Sequence, residues 1–469
     1  MLFPSLTSSL LIGASAHLVS GAVVQRDAAA QAACQNLKSK LGTTIVQTVG
    51  SPEWTAALDA PWNLANKDVA PACVVFPYDH THVAAAMKEI FENDAHYAVQ
   101  AGGHTAMKNW NVVQDGVLIM FTHMNNATYS SETDTITLQP GLTWEEATTA
   151  VEPFGVAPLG ARVRDVGTGA LLGGGISYLS SEYGFASDMY KELDVVLPNG
   201  DFVTVNADNQ YSDLFWALKG CANRCGIFPA SANPDVITAI ANFNSVEDPK
   251  AVLLTLFIQT TNPDGSTEAV TDVYIFYHGS GFPDAIFGEL LSIPSTSQSF
   301  SALSYYDMLV TFPMFPAGCV QFFGGGADFR DATALQTIYN HWWNFTTTVQ
   351  NEILRSFMSY TPLTKTTTDA GNARGGNPMD PPADGFISIN FGVMLPAGIT
   401  TVPDSLESAR QLLFSQCPAP AGLPLYIGEI DVKQNAFATY GQYEKLKSVY
   451  AKYDPTRFNV NHLDGPIGL

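Results

Sequence analysis

QAGGHT at residues 100–105 and GTGALLGGGISYLSSEYG at residues 167–184 are the two stretches of sequence that decide the fold. The first continues a predicted strand, HYAVQ, and places His104 directly after a Gly-Gly turn. The second is a glycine cluster flanked by apolar residues. Glycine has no Cβ, so such turns let backbone N–H groups approach a bound anion closely. Together the two stretches predict a backbone that wraps around a large phosphorylated cofactor.

Either turn alone also fits tight packing without a ligand, and that alternative stays open at Gly102, Gly103 and residues 173–175. Neither stretch has the G-x-G-x-x-G spacing of a dinucleotide-binding βαβ unit. The chain also lacks the G-K-[ST] sequence of a phosphate-binding P-loop. The two most common phosphate-binding loops are therefore excluded.

The composition is that of a large globular protein. The chain has 469 residues, of which 46% are hydrophobic, so we expect two or three domains with a substantial core. Its formal net charge of −22 argues against a nucleic-acid partner, because phosphate binding needs clustered Lys and Arg.

The first residues have the pattern of a signal peptide, which we place at residues 1–22. An apolar stretch from about Leu10 to Val19 precedes the small residues Ser20, Gly21 and Ala22. No later segment reaches about 18 consecutive apolar residues, so we expect a secreted protein without membrane contact after cleavage. Asn126 (NAT) and Asn344 (NFT) then become candidate glycan sites.

Six cysteines fit an oxidising compartment: Cys34, Cys73, Cys221, Cys225, Cys319 and Cys417. Six cysteines allow fifteen pairings, so spacing alone leaves the connectivity open. Cys221 and Cys225 have no second close pair or nearby His, and we expect no metal site.

The second half of the chain has the pattern of a sheet covered by helices. AVLLTLFIQTT, AVTDVYIFYHG, GCVQFFGGG and FISINFGVMLP predict strands, and helices are expected near residues 284–291 and 333–356. These elements pack naturally as one sheet with helices on one side. The polar stretch at residues 366–382, rich in Gly, Pro and Asn, is predicted to be a mobile loop.

An ordered set of motifs carries a resemblance to a known family. The motifs are, in order, PACVVFPYDHTHVAAAM, VQAGGHT, GVLIMFTHMN, LQPGLTWEEA, GARVRDVGTGALLGGGISYLSSEYGFASDM, ELDVVLPNGDFVTVN, DLFWALKG and YGQYEKLKSVYAKYDPTRF. With them the chain resembles the FAD-linked oxidoreductases of the vanillyl-alcohol-oxidase superfamily, with a PCMH-type FAD-binding domain. Within that superfamily it is similar to the berberine-bridge-enzyme-like group of secreted fungal proteins.

The resemblance implies an α+β fold built from a bipartite FAD-binding domain and a substrate domain with an antiparallel sheet covered by helices. The FAD-binding domain would comprise residues 23–247 and a C-terminal berberine-bridge-like segment at residues 426–469. The substrate domain would lie between them, at residues 248–425. The family's habit of tying its first helix to the strand before the FAD domain also implies a disulfide between Cys34 and Cys73.

The resemblance also implies the cofactor and how it is held. In the family, the histidine of the Gly-Gly-His turn is joined to the 8α carbon of FAD, and His104 stands at that position. Many relatives add a second link through the cysteine of a run like G-R-C-P-T-V-G, but here Val163 stands in its place. The resemblance therefore implies FAD attached through His104 alone, although His104 could instead only hydrogen-bond near the cofactor. The implied cofactor contacts are Gly102, Gly103, His104, Thr105, Val166, Gly167, Gly173, Gly174, Gly175, Gly226 and Ile227.

The expected activity is that of a secreted FAD-dependent oxidase. It would pass hydride from an alcohol, a sugar or a secondary metabolite to flavin N5 and then to O2, and the small Val166 favours O2 access beside the flavin. Tyr426 and Glu429 are the candidate catalytic bases, with Tyr440 and Tyr443 nearby, although each tyrosine could be an ordinary core aromatic. The expected partners are a small-molecule substrate and O2, and the oligomeric state is left open.

Two departures from the family pattern keep other functions open. The strand and extended stretch that usually follow DLFWALRG are absent after Phe228, through a deletion or an imperfect gene model. The tail has Tyr426-Ile427-Gly428-Glu429 where an Asn is common. The alternatives are an inactive or flavin-free secreted paralogue and a secondary-metabolite dehydrogenase or cyclising oxidase.

Overall fold

The structure is a computed structural model that describes residues 28–67, 69–221, 234–281, 283–311 and 320–469. The strands are β1 Val46–Thr48, β2 Cys73–Val75, β3 Tyr97–Gln100, β4 Val117–Met120, β5 Ala127–Ser130, β6 Thr135–Leu138, β7 Glu192–Val196, β8 Phe202–Asn206, β9 Ala251–Thr261, β10 Thr267–Tyr277, β11 Gln321–Asp328, β12 Arg355–Thr364 and β13 Gly385–Met394. The helices are α1 at residues 28–41, α2 Pro52–Asp59, α3 His80–Glu92, α4 Trp144–Val151, α5 Ser180–Tyr183, α6 Ser212–Ala217, α7 Pro234–Phe243, α8 Asp284–Leu291, α9 Tyr305–Thr311, α10 Ala332–Val349, α11 Lys365–Asn372, α12 Asp404–Gln416, α13 Tyr443–Tyr453 and α14 Phe458–His462.

The first sheet has the strand order β1-β2-β4-β3. β4 is parallel to both β2 and β3, while β1 is antiparallel to β2. The short apolar runs of β2 and β4 are buried, as expected for parallel strands packed on both faces. Helix α3 begins where Asp79 caps it, its carboxylate accepting from the backbone N–H groups of Thr81 and His82. A disulfide joins Cys34 of α1 to Cys73 of β2, which confirms the predicted pairing.

The second sheet is antiparallel and has the order β10-β9-β12-β13-β11. One face packs on helices: the indole N–H of Trp342 in α10 donates to Ser356 Oγ (3.0 Å), and Phe257 lies against the same ring. The opposite face turns toward the first half of the chain, because Thr361 accepts a hydrogen bond from Arg162 (3.2 Å). This arrangement confirms the expected sheet with helices on one side.

The C-terminal segment returns to the first sheet. The hydroxyl of Tyr97 in β3 donates to Asn459 Oδ1 (2.7 Å), and Phe458 belongs to the core formed by that sheet and α1. On α13, Lys452 Nζ forms an ion pair of 2.6 Å with Asp213 of α6. The last residues therefore complete the packing of the N-terminal half.

Two predictions for the second half are wrong. The helix expected to reach Ser356 ends at Val349, and β12 follows at Arg355–Thr364. The stretch at 366–382, predicted as a mobile loop, begins with helix α11, in which Thr367 and Thr368 are buried. Packing of α11 against α5 overrides the polar composition of the segment.

Two hairpins of the first half form separate sheets. β5 pairs with β6 and β7 pairs with β8, each as a separate two-stranded sheet within the described residues. The predicted signal peptide, Gly226, Ile227 and two of the cysteines (Cys225 and Cys319) lie outside the described residues. In the described part of the chain, no helix combines the length and apolarity needed to cross a membrane.

Candidate functional site

The two glycine stretches that the sequence singles out touch each other. A Cβ placed on Gly102 would lie 2.7 Å from the Cα of Gly167, and one placed on Gly167 would lie 2.4 Å from the backbone nitrogen of Gly102. Real Cβ contacts are not this short, so both positions require glycine. The turn after β3 is thereby pressed against the loop that contains Val166, which is fully buried.

His104 is buried beside this contact. Its ring stacks on Trp62, with centroids 4.2 Å apart and planes 18° from parallel. Its Nε2 lies 3.4 Å from Asp165 Oδ2, whereas its Nδ1 is buried and has no hydrogen-bond partner among the described residues. Burial favours the neutral acid at Asp165, but the hydrogen bond and charge of His104 outweigh it and lower the pKa of that carboxyl.

Asparagine side chains fix the turn that carries His104. The carbonyl of Gly103 accepts from Asn111 Nδ2 (3.0 Å) and from the backbone N–H of Trp62 (3.1 Å). Asn63 Nδ2 donates to the carbonyl of Ala106 (2.7 Å), two residues beyond His104. Amides suit this task because one side chain both donates and accepts. The predicted contact residue Thr105 is buried within the same turn.

The glycine cluster at residues 173–175 packs against the C-terminal part of the chain. Gly174 and Gly175 have φ values of +110° and +78°, which disfavour other residues. A Cβ on Gly174 would lie 2.9 Å from Met379 Cε and 3.6 Å from Tyr426 Cε2. Tight packing therefore accounts for these glycines, and their predicted role in holding a phosphate stays a prediction.

The inner face of the second sheet carries a patch of buried polar side chains. Ser359 lies opposite Asn390, and Thr361 lies opposite Ser388, on the central strands β12 and β13. Ser388 Oγ and Asn390 Oδ1 have no partner among the described residues, and neither do the amide atoms of Gln321 on β11. Buried polar groups without partners are rare in proteins, so this patch is suited to a polar ligand.

Sequence reasoning missed this patch, although the strand FISIN contained a pattern that could have revealed it. Polar and apolar residues alternate there, with Ser388 and Asn390 on one face and Ile387 and Ile389 on the other. Alternation normally marks a half-exposed strand, but every residue of β13 is buried. Polar residues on a strand buried on both faces point to a ligand or to a polar interface.

Glu429 and Arg162 meet beside the patch. Arg162 Nη2 lies 3.4 Å from Glu429 Oε1, and both side chains are almost completely buried. The backbone carbonyl of Glu429 accepts from Asn390 Nδ2 (3.1 Å) and lies close to Gly325 of β11, where an added Cβ would be 3.3 Å from it. Burial raises the pKa of Glu429 to about 7, and the charge of Arg162 opposes that rise only partly. A carboxyl with this pKa can take and release a proton near neutral pH.

The candidate tyrosines differ from Glu429. Tyr426 is buried and packs near Gly174 of the glycine cluster. The hydroxyl of Tyr440 is buried and has no partner among the described residues, and burial raises its pKa well above the ordinary value. A raised pKa keeps the Tyr440 hydroxyl protonated near neutral pH, where it cannot accept a proton, so the electrostatics favour Glu429 among the candidates named from the sequence.

A large cavity adjoins the glycine cluster. Its volume is about 3160 Å³, and its lining includes Leu171 and Leu172, both hairpins and β10. His104, Arg162 and Glu429 do not line it. We identify the candidate site from the buried polar groups around His104 and Glu429, which lie outside this cavity.

Comparison with known proteins shows what the chain is similar to. Residues 71–206 match the family described as FAD binding domain. An uncharacterized FAD-linked oxidoreductase of Arthroderma benhamiae is 28% identical over 276 residues, which cover 53% of this chain and 53% of that protein. The match thus spans about half of that relative. The FAD-dependent monooxygenase macF of Penicillium terrestre is 24% identical over 450 residues, covering 90% of this chain and 86% of the relative.

The fold agrees with solved structures. Glucooligosaccharide oxidase from Acremonium strictum, whose FAD is described as 6-S-cysteinyl, 8α-N1-histidyl, aligns with a TM-score of 0.72 and 16% identity, over 90% of this chain and 97% of that one. This likeness concerns the fold alone. Together with the antiparallel second sheet, it confirms the predicted α+β fold class. The FAD binding domain and the Arthroderma relative confirm the resemblance to fungal FAD-linked oxidoreductases.

Proposed function

We propose that this chain, which carries an FAD binding domain at residues 71–206, is an FAD-dependent oxidoreductase acting on a small hydroxyl-bearing molecule. The observation that carries the proposal is the contact between Gly102 and Gly167, which brings together, beside His104, the two turns predicted to bind the cofactor. Both turns lie within the matched domain.

The residues present fit FAD. His104 offers a buried nitrogen without a partner, and the unpaired groups of Gln321, Ser388 and Asn390 lie on the inner face of the second sheet. We place FAD against Gly102, Gly103, His104, Val166 and Gly167. Attachment through His104 alone remains part of the proposal, because Val163 cannot form a thioether.

When bound, FAD supplies the redox chemistry: acceptance of a hydride at N5 and delivery of the electron pair to O2. The chain's own residues supply the proton transfer. Glu429, with its pKa of about 7, takes the proton of the substrate hydroxyl at its unpartnered Oε2. Arg162 stabilises the carboxylate form of Glu429, and Ser388 and Asn390 offer hydrogen bonds that orient hydroxyl groups.

A monooxygenase is the second candidate, because relatives such as macF bear that name. The two functions differ in the fate of oxygen. An oxidase releases both oxygen atoms as H2O2, whereas a monooxygenase places one atom in the product. Turnover under ¹⁸O2 distinguishes the two functions, because ¹⁸O appears in the product of a monooxygenase and in the H2O2 released by an oxidase. Turnover that needs an artificial electron acceptor would indicate a dehydrogenase instead.

The decisive experiment is acid precipitation of the purified full chain followed by flavin fluorescence. We expect flavin to stay with the precipitated wild-type chain and to appear in the supernatant of the His104→Ala variant, whose folding is checked by circular dichroism. A colourless wild-type protein that binds no added FAD would overturn the function and favour the inactive paralogue.

Export completes the proposal. The apolar stretch before Ala22 and the disulfide Cys34–Cys73 support secretion, because disulfides persist in oxidising compartments. Asn126 is exposed before β5, whereas Asn344 lies within α10 and its sequon Thr346 is buried. We therefore propose Asn126 as the glycan site. Glycopeptide mapping of protein secreted from a fungal host tests both points.

A further inference from the structure

We infer that Asp165 is a positioning residue that holds the proton of His104 on Nε2 and leaves Nδ1 as the only ring nitrogen able to bond to flavin. The inference rests on the proposed function, which supplies the flavin. It goes beyond that function by assigning a role to a carboxylate that neither the family run G-R-C-P-T-V-G nor the comparisons assign.

The geometry of the imidazole carries the inference. A neutral imidazole has one N–H and one lone pair, and the partner of one nitrogen decides which nitrogen holds the proton. A carboxylate only accepts hydrogen bonds, so Asp165, whose Oδ2 lies 3.4 Å from Nε2, favours the tautomer with its N–H on Nε2. Threonine, which the family run has at this position, could donate or accept and would not fix the tautomer.

The surroundings keep the ring in this state. Stacking on Trp62 fixes the ring plane, and burial excludes water from Nδ1, which has no partner among the described residues. Asp165 is the ionised partner, because its pKa is lowered by the hydrogen bond and charge of His104 despite its burial. The negative charge also stabilises the positive imidazole that exists once Nδ1 has formed its bond.

Nδ1 forms one bond to the 8α carbon, and one C–H bond at that carbon breaks. The proton leaves to solvent and the electron pair enters the flavin ring. O2 then accepts that electron pair and two protons and becomes H2O2. These two protons balance the one lost from the 8α carbon and the one lost from the imidazole. Asp165 lies beside the nitrogen that loses the second proton.

The test follows attachment in the full chain, produced with little riboflavin and then given FAD in air. Attachment is measured as flavin fluorescence retained by acid-precipitated protein over time. We expect Asp165→Asn and Asp165→Ala to slow attachment roughly tenfold or more, the size expected for loss of one charge-assisted hydrogen bond. Glu145→Gln removes the same charge from the neighbouring helix α4, where Glu145 pairs with Arg164, and should attach at the wild-type rate.

A second measurement identifies the bonded nitrogen. The flavin peptide is isolated by proteolysis, and NMR of the peptide distinguishes an Nδ1 link from an Nε2 link. We expect Nδ1 in the wild type. A link through Nε2, or Asp165 variants that attach FAD as fast as the wild type, would overturn the inference.

The outcomes separate this inference from the proposed function. A wild-type chain that binds FAD tightly without attachment keeps the function and overturns the role of Asp165. A chain that binds no FAD overturns the function itself. Equal thermal unfolding temperatures of the wild type and Asp165→Asn would show that slow attachment does not come from misfolding. If Asp165→Asn unfolds, Asp165→Ala provides a second variant for the same test.

Discussion

Glu429 combines two features that single residues seldom share in an ordinary core. It is a carboxyl buried almost completely, and one of its oxygens has no hydrogen-bond partner among the described residues. Leaving such a group in an apolar interior costs free energy, so the arrangement makes sense where the carboxyl exchanges a proton with a ligand. The nearby Arg162 keeps the ionised form accessible.

Replacement of Glu429 by Gln tests this role. We expect substrate-dependent flavin reduction to fall by roughly 10²–10⁴, the range for loss of a positioned base. In the wild type, reduction should slow as the pH falls below about 7, because protonation removes the base. Stopped-flow absorbance across pH 5–9 measures both effects, and Glu152→Gln on the surface serves as the control. A wild-type rate independent of pH would contradict the assignment.

The same carboxyl makes stability depend on pH. Its pKa is raised in the folded protein, from an ordinary 4.5 to about 7, so the unfolded chain releases the proton first. Folding stability should therefore fall as pH rises from 4.5 to 7, by roughly 3 kcal/mol if this group acts alone. Glu429→Gln should remove that part of the slope, which urea unfolding at each pH measures. An unchanged slope would mean that Glu429 is ionised in the folded protein.

Val166 offers a separate test at the residue scale. It is fully buried beside the contact between Gly102 and Gly167, so a larger side chain must displace its neighbours. Val166→Leu should slow reoxidation of reduced flavin by O2 more than flavin reduction by substrate, since only reoxidation needs O2 beside the ring. Val166→Ala is the control and should retain reoxidation. Equal slowing of both half-reactions would show that Val166 only fills space.

At the scale of elements, the second sheet depends on glycines that make room for aromatic rings. Gly392 of β13 lies opposite Phe357 of β12, and a Cβ on Gly392 would lie 1.8 Å from that ring. On the other face, Gly324 of β11 is covered by Phe414 of α12. In both cases an aromatic ring of a neighbouring element occupies the space that a glycine leaves free.

Gly392→Ala should destabilise the fold by roughly 1–3 kcal/mol, because the added methyl group must displace the ring of Phe357. Gly288→Ala is a matched control, since no atom lies within 4 Å of a Cβ there and Gly288 sits in helix α8. The control should raise stability slightly through helix propensity. Chemical denaturation of both variants measures the difference, and equal stabilities would contradict the packing argument.

The sequence predicts the elements whose patterns are strong and misses those decided by tertiary contacts. β12 is missed because Pro362 argues against a central strand, yet the pairing with β9 ends at Tyr360, so the missing N–H of Pro362 leaves that ladder intact. Helix α11 is missed because its polar sequence has no apolar stripe. The His104 turn is predicted from its glycines, whereas the Asp165 contact and the patch around Asn390 depend on distances that no spacing shows.

At the scale of the whole molecule, Asn63 joins the two halves of the chain. Its Nδ2 donates to the carbonyls of Ala106 (2.7 Å) and Gln321 (3.0 Å), and its Oδ1 accepts from the N–H of Gln321 (3.3 Å). The turn that carries His104 is thereby tied to strand β11 of the second sheet. One fully buried side chain sets the spacing between the proposed flavin and substrate sites.

Asn63→Ala should destabilise the protein by roughly 2–4 kcal/mol, because it leaves buried backbone groups without partners. It should also weaken FAD retention, since the His104 turn loses a support. Asn199→Ala in the exposed loop between β7 and β8 is the control and should change neither quantity. Thermal unfolding and flavin release on dilution check the two effects. Normal stability in Asn63→Ala would show that water replaces the amide.

The return of the C-terminal segment has a consequence for synthesis. The hydrogen bond from Tyr97 to Asn459 spans 362 residues, and Phe458 completes the core of the first sheet. At about 5–20 residues per second, the ribosome needs roughly 20–70 s to deliver the partner of Tyr97. During that interval the nascent N-terminal half exposes the apolar surface that Phe458 later covers, and we expect it to be a substrate for chaperones.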